Sequence, residues 1–458
     1  MAHRALHFIV AGLVAAAVAA SPAAAHAAGR PKTPARTKAF PFPTEEHTLP
    51  NGLRVVFVKY DSPGLVAYFT LMRVGSRNEA EKGRSGYAHF FEHMMFRGTK
   101  KHSGTDYNQT VTRLGLNTNA FTSEDMTVYH LFGPAKALPT IIEYESDRFQ
   151  NLEYSEPEFK TEAGAILGEY AKSASNPEQQ LEEKMMETAF DAHTYRHTTI
   201  GYLDDVKAMP SGFAYSREFF RRYYTPDNAT VIIAGDFDAK ATLEAITKAY
   251  GSWQGKLDPM PIPPEPEHTA AREAHVDWKT PTLSRLWLAW HAPSANDLKT
   301  TAIENVLNAY LFGPTSPLYQ DLILGRQLVD SLMPTYDDHR DPYLFGVLAR
   351  VKEDKDVPAV EQAISAELES LAGGKVDKAR LEAVRSNLKY AAIMRLDTAE
   401  RVALTLATTT AQTGEIEYLN KVYSQIDGLE PGDLAAFAKQ YLKDTNRTKV
   451  TLSHGGGK

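Results

Sequence analysis

His89 and His93 stand four residues apart with Glu92 between them, in the run His89-Phe90-Phe91-Glu92-His93. No proline interrupts Ser85 to Phe96, and apolar residues flank the polar ones at helical spacing, which predicts a buried helix. On a helix, residues four apart project from one face, one turn above the other. Two imidazoles so placed can share one Zn²⁺, each at about 2.0–2.1 Å. Glu92 lies on the same side, placed to take a proton from water beside the ion as that water attacks a carbonyl. A charged glutamate in an otherwise apolar helix also needs a partner to offset its burial. A catalytic zinc commonly takes three protein ligands and keeps one position open. The stretch Glu162 to Tyr170 offers two further carboxylates, Glu162 and Glu169, seven residues apart and so on one helix face.

This H-x-x-E-H run, with Glu169 following His93 by 76 residues, resembles the pitrilysin/insulinase family of zinc peptidases, the inverted zincins. The resemblance implies that His89, His93 and Glu169 hold one zinc ion per chain and that Glu92 is the general base. Glu162 would then support the ligands from behind. The likeness runs over about residues 45–455 and implies two homologous α+β domains facing each other as a clamshell, only the first carrying ligands. It also implies that Asn119, Ala120, Phe121 and Thr122 belong to an edge strand that takes peptide substrates through main-chain hydrogen bonds. By itself the segment Asn117 to Ser123 reads as a turn entering a strand.

The elements that must carry these residues recur in two halves. Leu65 to Val74 reads as a strand leading to the histidine helix, and Leu283 to His291 as a strand leading to a helix over Thr301 to Tyr310. Ala229 to Phe237 closes the first half and Thr448 to Ser453 the second, so two α+β units of one design are expected. Between them, the proline-dense segment 259–268 predicts an extended, semi-rigid linker. His193 and His197 are also four apart, but no carboxylate lies between them and a loop follows, so they read as structural.

At the start of the chain, Arg4, the apolar run Phe8 to Ala20 and the small residues around Ala25 and Ala27 read as a secretory signal peptide. About 13 apolar residues are too few to anchor in a bilayer, so an exported, periplasmic protein without membrane anchor is expected. The expected layout is a signal peptide over 1–27, a flexible lead-in over 28–43, a zinc-binding domain over 44–258, the linker 259–268, and a homologous domain over 269–458. The chain has no cysteine, which excludes disulfides and thiolate metal sites. A net charge of −7 with no basic tract argues against nucleic acid as partner.

The second half departs from the pattern that the resemblance calls for. Active members carry an Arg and a Tyr seven residues apart there, and the Tyr helps hold the oxyanion. In the matching segment, Ser316 to Ser331, Ile323 stands in the place of the Arg and Asp330 in that of the Tyr. Isoleucine donates no hydrogen bond, and an ionised aspartate repels a developing oxyanion. Arg326 and Tyr336 are the nearest alternatives along the chain. The expectation is therefore a zinc-bearing peptidase subunit that cleaves short or unfolded peptides. A homologous partner, forming a heterodimer, would supply the Arg and Tyr. The alternatives are a non-catalytic scaffold or peptide-binding subunit, and a self-sufficient homodimer.

Overall fold

The computed structural model describes residues 38–455; the expected signal peptide and most of the lead-in lie outside the described residues. In the first half, β1 (Thr44–Thr48), β2 (Arg54–Lys59), β3 (Leu65–Met72), β4 (Asn117–Thr122), β5 (Thr127–Pro134) and β6 (Ala229–Gly235) form one sheet. Its order is β1-β2-β6-β3-β5-β4. In the second half, β7 (Arg272–Trp278), β8 (Ser284–Ala292), β9 (Val329–Thr335), β10 (Tyr343–Val351) and β11 (Arg447–His454) form another, in the order β7-β11-β8-β10-β9. In each sheet the final strand pairs parallel with the strand that opens the core unit, β6 with β2 and β11 with β7, and every other pair is antiparallel. The halves thus repeat one topology, two homologous α+β domains facing each other as a clamshell, with β1 added at the edge of the first.

The strands that lie deepest are apolar on both faces. Every residue of β6 is buried, as are seven of the eight in β3. A run like that needs cover on each side of the sheet. Helices of the same half cover one face, where Val55, Phe57, Tyr68, Val231 and Ile233 join the main core. The cover of the other face comes from across the molecule. Helix Ala399–Thr413 belongs to the second half, yet its Ala399, Val402, Ala403, Leu406 and Ala407 pack on Val56, Ala67, Phe69, Ile232 and Ala234. Their spacing is that of a helical stripe. The first half returns the arrangement. Helix Pro177–Ala189 lays Leu181, Met185, Met186 and Ala189 on Trp287, Ala289, Leu344, Leu348, Val450 and Leu452 of the second sheet. The sequence pattern divides at the linker, but the packing does not.

Polar contacts reinforce the junction. Asp341, in the turn between β9 and β10, accepts from Arg77 Nε at 2.6 Å and from His193 Nε2 at 2.8 Å. His193 therefore has a structural task, and His197 turns its Nδ1 to the Thr198 carbonyl oxygen at 3.0 Å. The linker forms no helix or strand, but it is pinned more firmly than an extended spacer. The Glu265 carboxylate accepts the backbone N–H groups of Asp191, Ala192 and His193 at 2.8, 2.9 and 2.9 Å. The lead-in also differs from expectation, since its end is anchored before residue 43. Ala39 and Phe40 are buried, and the backbone of Phe40 exchanges two hydrogen bonds with the Asn420 side chain, at 2.9 and 3.2 Å. No helix among the described residues is long and apolar enough to cross a membrane.

Truncating a side chain in a helix of the second half should thus loosen the sheet of the first. Leu406→Ala is expected to cost about 2–5 kcal/mol, the range for emptying a buried leucine site. Denaturant unfolding should show that loss as one shared transition, with amide exchange quickened in β3 and β6. Protection unchanged in those strands would refute the crossed packing.

Candidate metal centre

Two helices build the site. Helix Tyr87–Met94 buries Tyr87, Ala88, Phe90, Phe91 and Met94, with the Phe91 ring stacked on Phe219 at 5.7 Å. Its opposite face carries His89 and His93, whose ring centroids are 4.9 Å apart. The start of this helix is fixed by a buried acid, because Glu79 accepts from the backbone N–H groups of Gly86 and Ala88, both at 2.7 Å. Those groups have no partner within the helix, and the two hydrogen bonds only partly offset the burial that pushes the Glu79 carboxyl up to about 8. Gly86 has φ +89°, and a Cβ there would meet the Ile200 carbonyl oxygen at 2.7 Å, so glycine is required.

Helix Glu156–Ser173 supplies the acids. It opens with a capping box between Ser155 and Glu158 and a proline in its first turn. Phe159, Ala163 and Ile166 anchor it in the core, Phe159 against Phe90 at 4.9 Å between ring centroids. Glu162 and Glu169 then reach the histidines. Glu169 Oε2 lies 3.5 Å from His93 Nε2 and 3.8 Å from His89 Nε2, and one ligand atom from each of the three residues falls within 4.8 Å of the others. Glu162 takes the other side of His93, with Oε1 2.8 Å from Nδ1. Its second oxygen accepts from Arg97 Nε at 2.5 Å.

The electrostatics follow from these contacts. Glu162 has a side chain only 4% exposed. Burial alone would raise its pKa, but the hydrogen bond from His93 and the charge of Arg97 outweigh it and hold the carboxyl below its ordinary range. His93 shows the converse: burial would lower its pKa, and Glu162 pulls it up instead. With Nδ1 held by Glu162, His93 turns Nε2 to Glu169, the carboxylate–histidine arrangement found behind many metal ligands. Two imidazole nitrogens and a carboxylate oxygen are a donor set that Zn²⁺ accepts, with room for a fourth ligand. Glu169 is the most open of the three, its side chain 35% exposed, so solvent reaches the centre from that side.

Glu92 does not join this triad. Burial raises its pKa, against the opposing effect of a hydrogen bond from Thr122 Oγ1 at 2.6 Å. A carboxylate whose pKa is raised is a stronger base than a free one. Thr122 ends β4, which pairs only with β5 and so is an edge of the first sheet. Asn119 is exposed, Phe121 half-buried, and Ala120 and Thr122 are buried. An edge strand turns every second N–H and C=O away from its single neighbour, free to pair with another strand.

In the second half, Asp330 is not a bare charge. Its carboxylate accepts from Arg350 Nε at 2.7 and 2.9 Å and from the terminal nitrogen at 2.6 Å. Arg326 is engaged with Asp321 at 2.8 Å, and Tyr336 donates to Asp338. The structure thus brings together the five residues His89, Glu92, His93, Glu162 and Glu169, and adds Arg97, Glu79 and the Thr122 contact, which the sequence reading did not assign. Arg97 could have been found, since positions 89, 93 and 97 continue one helical spacing.

Residues 55–202 match the family model described as Insulinase (Peptidase family M16), and residues 215–388 match that of the Peptidase M16 inactive domain. The zinc protease PqqE of Helicobacter pylori is 29% identical over 413 residues, covering 89% of this chain and 92% of that protein. The crystal structure of a protease from Helicobacter pylori superposes with a TM-score of 0.84 at 29% identity, over 90% of this chain and 99% of the other. The periplasmic protease PqqL from Escherichia coli shares the fold, with a TM-score of 0.72 at 21% identity over 89% of this chain and 47% of its own.

If Glu162 orients His93, removing its charge should weaken metal retention without emptying the centre. Glu162→Gln is expected to lower Zn²⁺ affinity about 10- to 100-fold, the usual cost of losing such a support. Competition with a chromogenic chelator measures this, and an unchanged affinity would contradict the arrangement.

Proposed function

This chain belongs to the insulinase family of peptidases, family M16, and we propose that it is the zinc-bearing subunit of an exported metalloendopeptidase acting on short or unfolded peptides. The observation that carries the reading is the convergence of His89, His93 and Glu169, with Glu92 beside them on Thr122. His89, His93 and Glu169 hold one Zn²⁺. Bound there, the ion supplies Lewis acidity toward water and toward the peptide carbonyl. Glu92 takes the proton of the attacking water and returns it to the leaving amine, while Thr122 keeps its carboxylate in place. Asn119 to Thr122 bind the substrate backbone by strand addition, which reads the main chain and tolerates many side chains. A peptide bound in that way must be extended, so folded proteins are poor substrates. Export to the periplasm is supported by the pattern around Arg4, Phe8 to Ala20 and Ala25 to Ala27, and by the similarity to PqqL, a periplasmic protease.

The second half supplies no donor for the oxyanion at Ile323 or Asp330, and Arg326 and Tyr336 are committed to aspartates. A homologous partner carrying the Arg and Tyr completes the centre across a subunit interface. The same two positions favour the alternative reading, a metal-binding subunit that holds peptides without cleaving them.

Two experiments separate these. His89→Ala and Glu169→Gln should each lose the zinc equivalent held at this centre, and Glu92→Gln should keep it while losing turnover; as much zinc bound by His89→Ala as by the unmodified chain would sink the ligand assignment. Turnover of a fluorogenic peptide by the chain alone should be poor and rise on the order of 10²-fold or more when the partner is titrated in, the scale of one oxyanion donor. Full activity without partner rejects the heterodimer, and no activity with it favours the non-catalytic subunit.

A further inference from the structure

A second group of metal-ligating side chains lies at the domain junction, apart from the histidine helix. Asp191, Glu265 and His268 place one ligand atom each within 4.8 Å of the others. The geometry points to a second divalent-metal site here, taking a transition ion such as Zn²⁺ and stapling the linker to the segment that follows helix Pro177–Ala189.

His268 is the observation that points to a ligand. Its side chain is 0% exposed, and neither ring nitrogen has a hydrogen-bond partner. An imidazole needs something at both nitrogens, and burying it bare is costly. The nearest acid oxygen, Glu265 Oε1, is 3.5 Å from Nε2. That is long for a hydrogen bond. It suits two ligands of one ion, which at 2.0–2.1 Å each in a tetrahedral shell lie roughly 3.3–3.4 Å apart. The spacing also matches the 3.5 Å between His93 and Glu169 in the first centre.

The carboxylates have capacity to spare. A carboxylate offers about four acceptor positions, two per oxygen. Glu265 Oε2 takes two backbone N–H groups, those of Ala192 and His193, but Oε1 takes only that of Asp191. The oxygen with a vacant lone pair is therefore the one facing His268. Asp191 accepts from Arg272 through both oxygens, at 3.1 and 2.5 Å, and its side chain is 57% exposed, which gives an ion a path in from solvent. The Arg272 guanidinium, paired with Asp191, opposes a cation most directly, with the charge of Arg196 also acting on Asp191, so Arg272 should tune the affinity of the site. His291 closes the inner side, its ring 4.1 Å from that of His268 and its Nε2 committed to the Ala189 carbonyl oxygen at 2.8 Å.

The test uses the full chain, stripped with chelator and equilibrated with Zn²⁺ by dialysis, with metal counted per chain. His268→Ala and Asp191→Asn should each bind one equivalent fewer than the unmodified chain. His89→Ala should still take up the ion held by Asp191, Glu265 and His268. Arg272→Gln, by removing the competing charge, should tighten that equivalent about tenfold or more. Unchanged stoichiometry in Asp191→Asn, whose exposed side chain can be replaced without disturbing the core, overturns the site even if His268→Ala fails to fold.

Discussion

Neither sheet can be completed by its own half. Each has one face covered from within, and the other is covered chiefly by a helix from across the junction, Ala399–Thr413 in one direction and Pro177–Ala189 in the other. The apolar surface at stake is large, because β3 and β6 are buried on both sides. Exposing one face of either sheet would leave a patch that soluble proteins rarely tolerate. The two homologous domains therefore fold as one object, and the position of helix Glu156–Ser173 is set partly by the second sheet, since the helix that follows it must reach there.

Within that frame, the centre is a problem of burying charge. Glu162 sits under His93 nearly out of contact with solvent, a place where an ion needs compensation. Compensation comes from two directions, His93 above and Arg97 at the side. Glu79, at the other end of the histidine helix, accepts two N–H groups that the helix leaves unpaired, yet burial still pushes its carboxyl up to about 8. His93 is thus held in its orientation by protein groups alone.

Much of this was legible from residue types and spacing. His89, His93 and Glu92 declare themselves by helical periodicity, the strands Leu65–Met72, Ala229–Gly235 and Ser284–Ala292 by their apolar runs, and Arg447–His454 by the alternation of Val450 and Leu452 with polar residues. What could not be read was any contact joining residues far apart in the chain without a local signal. Glu79 looks like any acid near a turn until Gly86 and Ala88 are placed above it. Asp330 looks like an unmatched charge until β10 brings Arg350 beside it. The crossing helices illustrate the same limit, since a stripe of Ala399, Val402 and Leu406 states that something apolar is covered, but not which sheet.

The linker gains a different meaning from its anchor. A proline-rich connector between two domains ordinarily serves as a hinge about which they swing. Here Glu265 is riveted by three backbone N–H groups to residues 191–193, and Asp341 is clamped by Arg77 and His193 a short distance along the same seam. A rivet transmits torque where a hinge absorbs it. The two valves of this shell must then move as one mechanical body, and a cut in the linker would leave its fragments joined by the crossed helices.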